Sequence, residues 1–251
     1  MAGAPHLSLI LPAYNEAGHI LGTLRAVQGY LDGRPYAYEV LIAADGDDGT
    51  RELLTPLAAA DHRLVVLGSP GRGGKGRGIR RAVARARGHL IGFADADNKT
   101  PIDEIDRLLP WLEAGYDLVI GSRRQPGARI EVRQPLFRRL GSWGFAVFMH
   151  ALLGMWDIHD TQCGFKFFRG AAARDLFGRQ RIDGYMFDVE ILYLARQSGY
   201  RIKEVGVRWR DDGDSRLRLL AGNWENLRDI LRIRFGRTPA AAAVTCERSA
   251  A

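Results

Sequence analysis

Leu90-Ile91-Gly92-Phe93-Ala94-Asp95-Ala96-Asp97 is the stretch on which the fold turns. The apolar run Leu90–Phe93 is too short for a helix and stops at two carboxylates. A run of this length bounded by polar residues reads as a strand buried on both faces. Four other runs have the same character: Leu7-Ser8-Leu9-Ile10-Leu11, Glu39-Val40-Leu41-Ile42-Ala43, Leu64-Val65-Val66-Leu67 and Leu118-Val119-Ile120. Helical spacing fills the gaps, through Ile20, Leu21, Leu24 and Val27, from Thr50 to about Ala60, from a Gly-rich turn to Arg87, and near Ile102 to Leu112. Strands alternating with helices predict an α/β fold, a mostly parallel sheet sandwiched by helices. Such sheets bind ligands beyond the carboxyl ends of their strands, and the polar clusters of this chain fall there.

Composition narrows the class. The chain has 251 residues, 46% hydrophobic and 26% charged, which suits one or two packed cores and excludes a disordered or collagen-like polymer. Two cysteines, Cys163 and Cys246, cannot staple a disulfide mini-protein and favour a reducing, intracellular compartment. Met1 to Leu11 lacks the basic start and apolar core of a signal peptide. The longest stretch free of Asp, Glu, Lys and Arg, Leu140 to Trp156, falls short of the ~20 apolar residues of a spanning helix, so a multispan membrane protein is excluded.

The formal net charge is +7, and all but four of the 36 basic residues are Arg. A GC-rich genome explains that ratio as well as function does, but the positions carry more. Seven basic residues and no acidic one lie between Gly71 and His89, and six Arg against Glu131 lie between Ser122 and Arg139. The guanidinium fork suits phosphate oxygens, which points to phosphate-bearing ligands or an anionic surface. No helix-turn-helix, zinc-finger or RNA-recognition pattern accompanies the charge, so nucleic acid is not an expected partner.

Beyond Ser122 a Gly/Pro/Arg-rich loop leads to a helix with Phe145, Phe148, Met149, Leu152, Leu153 and Trp156 on one face, behind Arg133, Arg138 and Arg139. This is either a core helix or one lying in a membrane interface. A second amphipathic helix runs from about Leu217 to Phe235, with Leu220, Trp224, Leu227 and Leu231 on one side and Arg228, Arg232, Arg234 and Arg237 adding charge. The small, polar end of the chain reads as a disordered tail.

The chemistry-bearing residues follow the strands. Asp95 and Asp97 can face one cation if the backbone turns, and oxygen-only ligation favours Mg²⁺ or Mn²⁺, which neutralise a diphosphate; ordinary turns and helix caps use Asp as freely. Pro12-Ala13-Tyr14-Asn15-Glu16 follows the first strand and Asp45-Gly46-Asp47-Asp48-Gly49-Thr50 the second. A carboxylate there can accept from a base or ribose, while Thr50 serves equally as a helix cap. Gly71-Arg72-Gly73-Gly74-Lys75-Gly76, after the third strand, lacks the spacing of a P-loop. There is no G-x-G-x-x-G after the first strand, no His pair at metal spacing and no Ser nucleophile elbow.

Taken in order, Leu11-Pro12-Ala13-Tyr14-Asn15-Glu16-Ala17, the Asp45-Gly46 turn, Gly74-Lys75-Gly76, Asp95-Ala96-Asp97 and Gly121-Ser122-Arg123 resemble the family 2 inverting glycosyltransferases of GT-A fold. Asp160-Thr161-Gln162-Cys163-Gly164-Phe165-Lys166 and Gly184-Tyr185-Met186-Phe187-Asp188-Val189-Glu190 are similar, more closely, to the dolichyl- or polyprenyl-phosphate glycosyltransferases. The resemblance implies a single catalytic domain over residues 1–236, with a nucleotide-sugar half (1–121), an acceptor and interface half (122–236) and a tail at 237–251. The enzyme would move a hexose from UDP-glucose or GDP-mannose to a polyprenyl phosphate, peripherally, at the cytoplasmic face of the membrane. A soluble hydroxyl acceptor, or a non-catalytic nucleotide-binding module, is the alternative.

The same resemblance assigns roles. Pro12, Ala13, Tyr14, Glu16, Ala43 and Asp45 would hold the nucleoside. Asp95 and Asp97 would hold the metal, with Lys75, Ala96 and Gln162 beside the donor. Lys99 stands where mannosyltransferases of this kind place a Gln that completes the metal site. Arg210 and Arg216 would meet the donor phosphates, and Arg123 and Arg138 the acceptor phosphate. A lipid phosphate is already anionic, so its attack needs no general base; a hydroxyl acceptor would need one, with Asp188 or Glu190 as candidates.

Overall fold

The computed structural model describes residues 3–131, 144, 147–210 and 222–236. Strands β1 (Leu7–Tyr14), β2 (Tyr38–Asp45), β3 (Leu64–Leu67), β4 (Leu90–Ala94) and β5 (Leu118–Ser122) alternate with helices α1 (Ile20–Leu31), α2 (Thr50–Ala60), α3 (Lys75–Val83) and α4 (Ile105–Glu113). A short strand β6 (Arg129–Ile130) follows, then β7 (Phe165–Arg169), α5 (Gly170–Arg179), α6 (Phe187–Gln197), β8 (Ile202–Gly206), β9 (Arg208–Trp209) and α7 (Gly222–Phe235).

Seven strands form the central sheet in the order β3-β2-β1-β4-β7-β5-β8, and β6 and β9 pair separately. Each neighbouring pair in the main sheet is parallel except the two made by β7, which runs antiparallel between β4 and β5. The chain winds outward from β1 in one direction through β2 and β3, then returns to β1's other edge with β4. Open α/β sheets bind ligands at such a reversal, which here lies beyond the carboxyl ends of β1 and β4.

Strand alternation divides the core. Leu7, Leu9 and Leu11 of β1 pack with Phe165 and Phe167 of β7 under α1 and α4, whereas Ile10, Phe93 and Phe168 meet α3, α5 and α6. Helix α1 buries Ile20, Leu24, Val27 and Leu31, one stripe at 3–4-residue spacing. Burying each such side chain contributes about 1.5–3 kcal/mol before chain entropy is counted. Gly92 has a packing reason to interrupt β4: it lies opposite Phe167, and a Cβ there would sit 2.1 Å from that ring.

All five expected strands are present. Helix α3 stops at Val83, short of Arg87. Strands β6 to β9 and helices α5 and α6 are not among the elements the sequence predicts. Residues 147–153 are helical, but Gly154 takes a left-handed φ of +68° and ends the helix before Trp156. Met149 and Leu153 enter the core while Phe148 and Trp156 stay exposed, so the single apolar face expected there is split between core and solvent. On α7 it is Ile230 and Ile233 that are buried; Trp224, Leu231 and Phe235 are exposed. Phe145, Leu217, Leu220 and the tail 237–251 lie outside the described residues.

Candidate functional site

The strand ends bring four loops together. At the end of β2, Asp45 is almost fully buried and its carboxylate organises the loop after β3: Oδ1 accepts from Ser69 N and Oγ at 3.0 and 3.1 Å, and Oδ2 from Gly73 N at 3.1 Å. Asn15, at the end of β1, adopts φ +52°, and its Oδ1 accepts from Asp47 N at 3.1 Å. Thr50 is the first residue of α2 rather than its cap: its hydroxyl donates to Asp48 at 2.5 Å and accepts from Glu16 N at 3.1 Å, tying the first two loops. Tyr14 is partly exposed with Arg72 5.0 Å above its ring, Pro12 is half-buried, and Ala13 and Ala43 are buried. These residues sit on one side of the β1/β4 reversal.

Asp95 and Asp97 form the other side. The turn is held by Asn98 at φ +55°, by Asn98 N donating to Asp95 O, and by Thr23 Oγ1 donating to Ala96 O at 2.5 Å. Each carboxylate meets a lysine: Lys75 Nζ lies 2.6 Å from Asp95 Oδ1, and Lys99 Nζ 3.2 Å from Asp97 Oδ2. Burial and the Asp95 charge push the Asp97 carboxyl above its ordinary range, against the pull of Lys99. Burial would lower the Lys75 ammonium, but Asp95 and Asp188 outweigh it and hold the group protonated, above the usual lysine range. Gly164 backs directly onto Asp95, where a Cβ would fall 2.0 Å from Oδ2.

Two further segments reach this point. Arg210 N donates to Lys99 O at 2.9 Å, which holds the backbone at Arg210 against the Asp-Ala-Asp loop, and the Arg210 side chain is exposed. Arg123 donates from Nε and Nη2 to Asp160 Oδ2 and Oδ1, both 2.8 Å, and lies 5.3 Å over Trp209. Burial opposes ionisation of Asp160, yet Arg123 holds its pKa down to about 2. Gln162 is exposed on the adjoining turn. Arg138 and Arg216 lie outside the described residues, as do Arg133, Arg139 and 211–215.

Three charged residues of the family motifs are engaged within the protein. Lys166 is fully buried, donating to Asp188 at 2.5 Å and to Cys163 O at 2.7 Å, so it faces the core rather than a ligand. Asp188 is consumed by that ion pair. Glu190 is buried and accepts from the amides of Arg181 and Ile182, closing the loop before α6. Neither carboxylate is placed to serve as a base. Sequence reasoning passed over Asp160, the partner of Arg123, and Gly164, the backing of Asp95; both stand in the Asp160–Lys166 run, whose apolar flank was the available signal.

Among the described residues no three His, Cys, Asp or Glu side chains cluster as a ready-made metal site. Two carboxylates with neighbouring exposed space still fit a hard divalent cation that takes its remaining ligands from phosphate and water.

The fold has known counterparts. Glucosyl-3-phosphoglycerate synthase from Mycobacterium tuberculosis, solved with Mn²⁺, uridine diphosphate and phosphoglyceric acid, superposes with a TM-score of 0.66 at 21% identity, covering 91% of this chain and 77% of that one. Sheet and strand-end site thus define a glycosyltransferase of GT-A architecture. The model of glycosyl transferase family 2 matches residues 8–177, and the chain belongs to that family. A dolichyl-phosphate beta-glucosyltransferase of Trichomonas vaginalis is 34% identical over 226 residues, 85% of this chain and 66% of its own length. That of Dictyostelium discoideum is 32% identical over 245 residues, 92% of this chain and 74% of its own length. The chain therefore spans about two thirds to three quarters of these relatives.

Proposed function

We propose that the protein transfers glucose, with inversion, from UDP-glucose to a polyprenyl phosphate. The observation that carries this reading is the meeting of Asp95, Asp97, Lys75 and the Arg210 backbone beyond the ends of β1 and β4, next to the Tyr14 and Asp45 loops. A nucleoside on the Tyr14 side would extend its diphosphate over the two aspartates. The glucosyltransferase names of the relatives favour glucose over mannose, and the lipid phosphate over a hydroxyl acceptor.

The residues divide the work by charge. Asp95 and Asp97 would hold Mg²⁺ or Mn²⁺, which when bound stabilises the leaving nucleoside diphosphate. Lys75 and Arg210 add positive charge on the same side, and the family resemblance assigns Arg216 to the donor phosphates with them. Arg123, with two of its five N–H donors spent on Asp160, would present others to the acceptor phosphate, and Arg138 would join it. A phosphate nucleophile is already ionised near neutral pH. The commitment of Asp188 to Lys166 and of Glu190 to backbone amides fits a reaction that needs no base.

No helix among the described residues is long and apolar enough to cross a membrane. Exposed Trp224, Leu231 and Phe235 beside Arg228, Arg232 and Arg234 on α7 suit a helix resting on an anionic lipid surface. On this reading the protein acts peripherally at the cytoplasmic face, as one domain ending near residue 236. Co-sedimentation with anionic vesicles should fall as salt rises; salt-independent absence from the pellet would refute the contact.

Nucleoside diphosphate release tests the activity. UDP-glucose with Mg²⁺ or Mn²⁺ should yield UDP only when a short polyprenyl phosphate is present. Preference for GDP-mannose would overturn the sugar, and donor binding without lipid-stimulated turnover would overturn the acceptor.

A further inference from the structure

Lysine is scarce here, only four of 36 basic residues, and two of the four meet the two carboxylates of the β4 turn. They arrive from different sides. Lys75 opens α3, while Lys99 stands two residues beyond Asp97, with its own amide donating to Asp97 Oδ1 at 3.2 Å. Both ammonium groups are largely shielded, 19% and 14% exposed. Each carboxylate already has an ammonium beside it, with which a divalent cation must compete. An ammonium is a compact charge on a flexible stem, whereas a guanidinium would fork across the carboxylate and lock it. Lysine at both places leaves each carboxylate held at a point rather than by a fork, so the pair can exchange partners.

We propose that Lys75 and Lys99 make metal capture at Asp95 and Asp97 conditional on the donor's diphosphate. The proposal rests on the donor reading above. A diphosphate brings anionic oxygens that the two ammonium groups can take as partners, releasing the carboxylates for the cation, which in turn binds the same diphosphate. Metal and nucleotide then bind with positive coupling, and each raises the other's affinity by the same factor. Lys99 is a positioning residue in this scheme, acting through Asp97.

The test is Mn²⁺ binding to the full chain, read from the loss of the free-ion EPR signal, without and with UDP. Wild-type affinity for Mn²⁺ should rise at least about tenfold when UDP is present, a coupling of about 1.4 kcal/mol. Lys99→Met should bind Mn²⁺ at least about fivefold more tightly than wild type in the absence of UDP, and the coupling should shrink by that factor. Lys99→Gln, closer in polarity, should move the same way, and thermal melts establish that each variant is folded. Lys203→Met, whose ammonium lies 4.1 Å over Trp111, should leave both affinities unchanged. Wild type that binds UDP, with Mn²⁺ affinity unchanged or weakened in both Lys99 variants, overturns the lysine proposal alone. Wild type that binds neither UDP nor GDP overturns the donor reading and the proposal with it.

Discussion

Replacing Lys166 by Met should destabilise the protein severely while leaving its donor loops in place. Lys166 has no solvent exposure, and its ammonium lies between Asp188, 2.5 Å away, and the Cys163 carbonyl at 2.7 Å. Taking away the cation strands a buried carboxylate, and breaking such a pair from one side typically costs about 3–5 kcal/mol. For a chain of this size each kcal/mol lowers Tm by roughly 2–4 °C, so the expected drop is about 6–20 °C. The companion Lys166→Met/Asp188→Val removes both charges and should recover at least half of the loss, because an apolar pair of similar volume replaces the ion pair. Chemical denaturation and calorimetry measure both. A Lys166→Met loss under about 1 kcal/mol, or a double variant no more stable than the single, would refute the assignment of this pair to the core.

Three further outcomes follow from the site. Asp97→Asn should fold normally and lower turnover by about 10²–10³, the usual cost of removing one positioned charge, measured as UDP release. Gly164→Ala should stay folded, since the atom it meets ends a side chain that can move, but it should displace Asp95 and weaken Mn²⁺ binding in the presence of UDP. Asp160 is held at about 2 against an ordinary 3.8, so its ion pair with Arg123 contributes stability that is fully present above pH 4 and lost as pH falls through 2. That depression corresponds to roughly 2 kcal/mol, and Arg123→Gln should flatten the stability slope in that window, measured by denaturant titration.

Much of this architecture was legible because parallel strands buried on both faces leave short apolar runs, and the residues after them are where ligands go. Asp95, Asp97, Asp45 and Tyr14 were singled out on that ground, and all four stand at the carboxyl ends of strands. Strand β7 was not, because Phe165-Lys166-Phe167-Phe168 carries a lysine where a buried strand is expected to be apolar, and only the fold reveals that Asp188 neutralises it. The same limit applies to Asp188, a candidate base for a hydroxyl acceptor: a sequence shows that a charge exists but not which distant charge it meets. Trp156 and Trp224 show a related limit, since helical spacing groups apolar residues into a face without saying whether protein covers it. Lys99 looked like a misplaced metal ligand, and its contact with Asp97 identifies it as a counter-charge to the carboxylate.

The most direct test of the account is the product itself. Incubation with UDP-[¹³C]glucose, Mn²⁺ and a short polyprenyl phosphate should give a lipid-extractable sugar phosphate whose NMR couplings show a β-anomeric linkage to phosphorus. An α-linked product, or free glucose with no lipid-bound sugar, would contradict inverting transfer to a lipid phosphate.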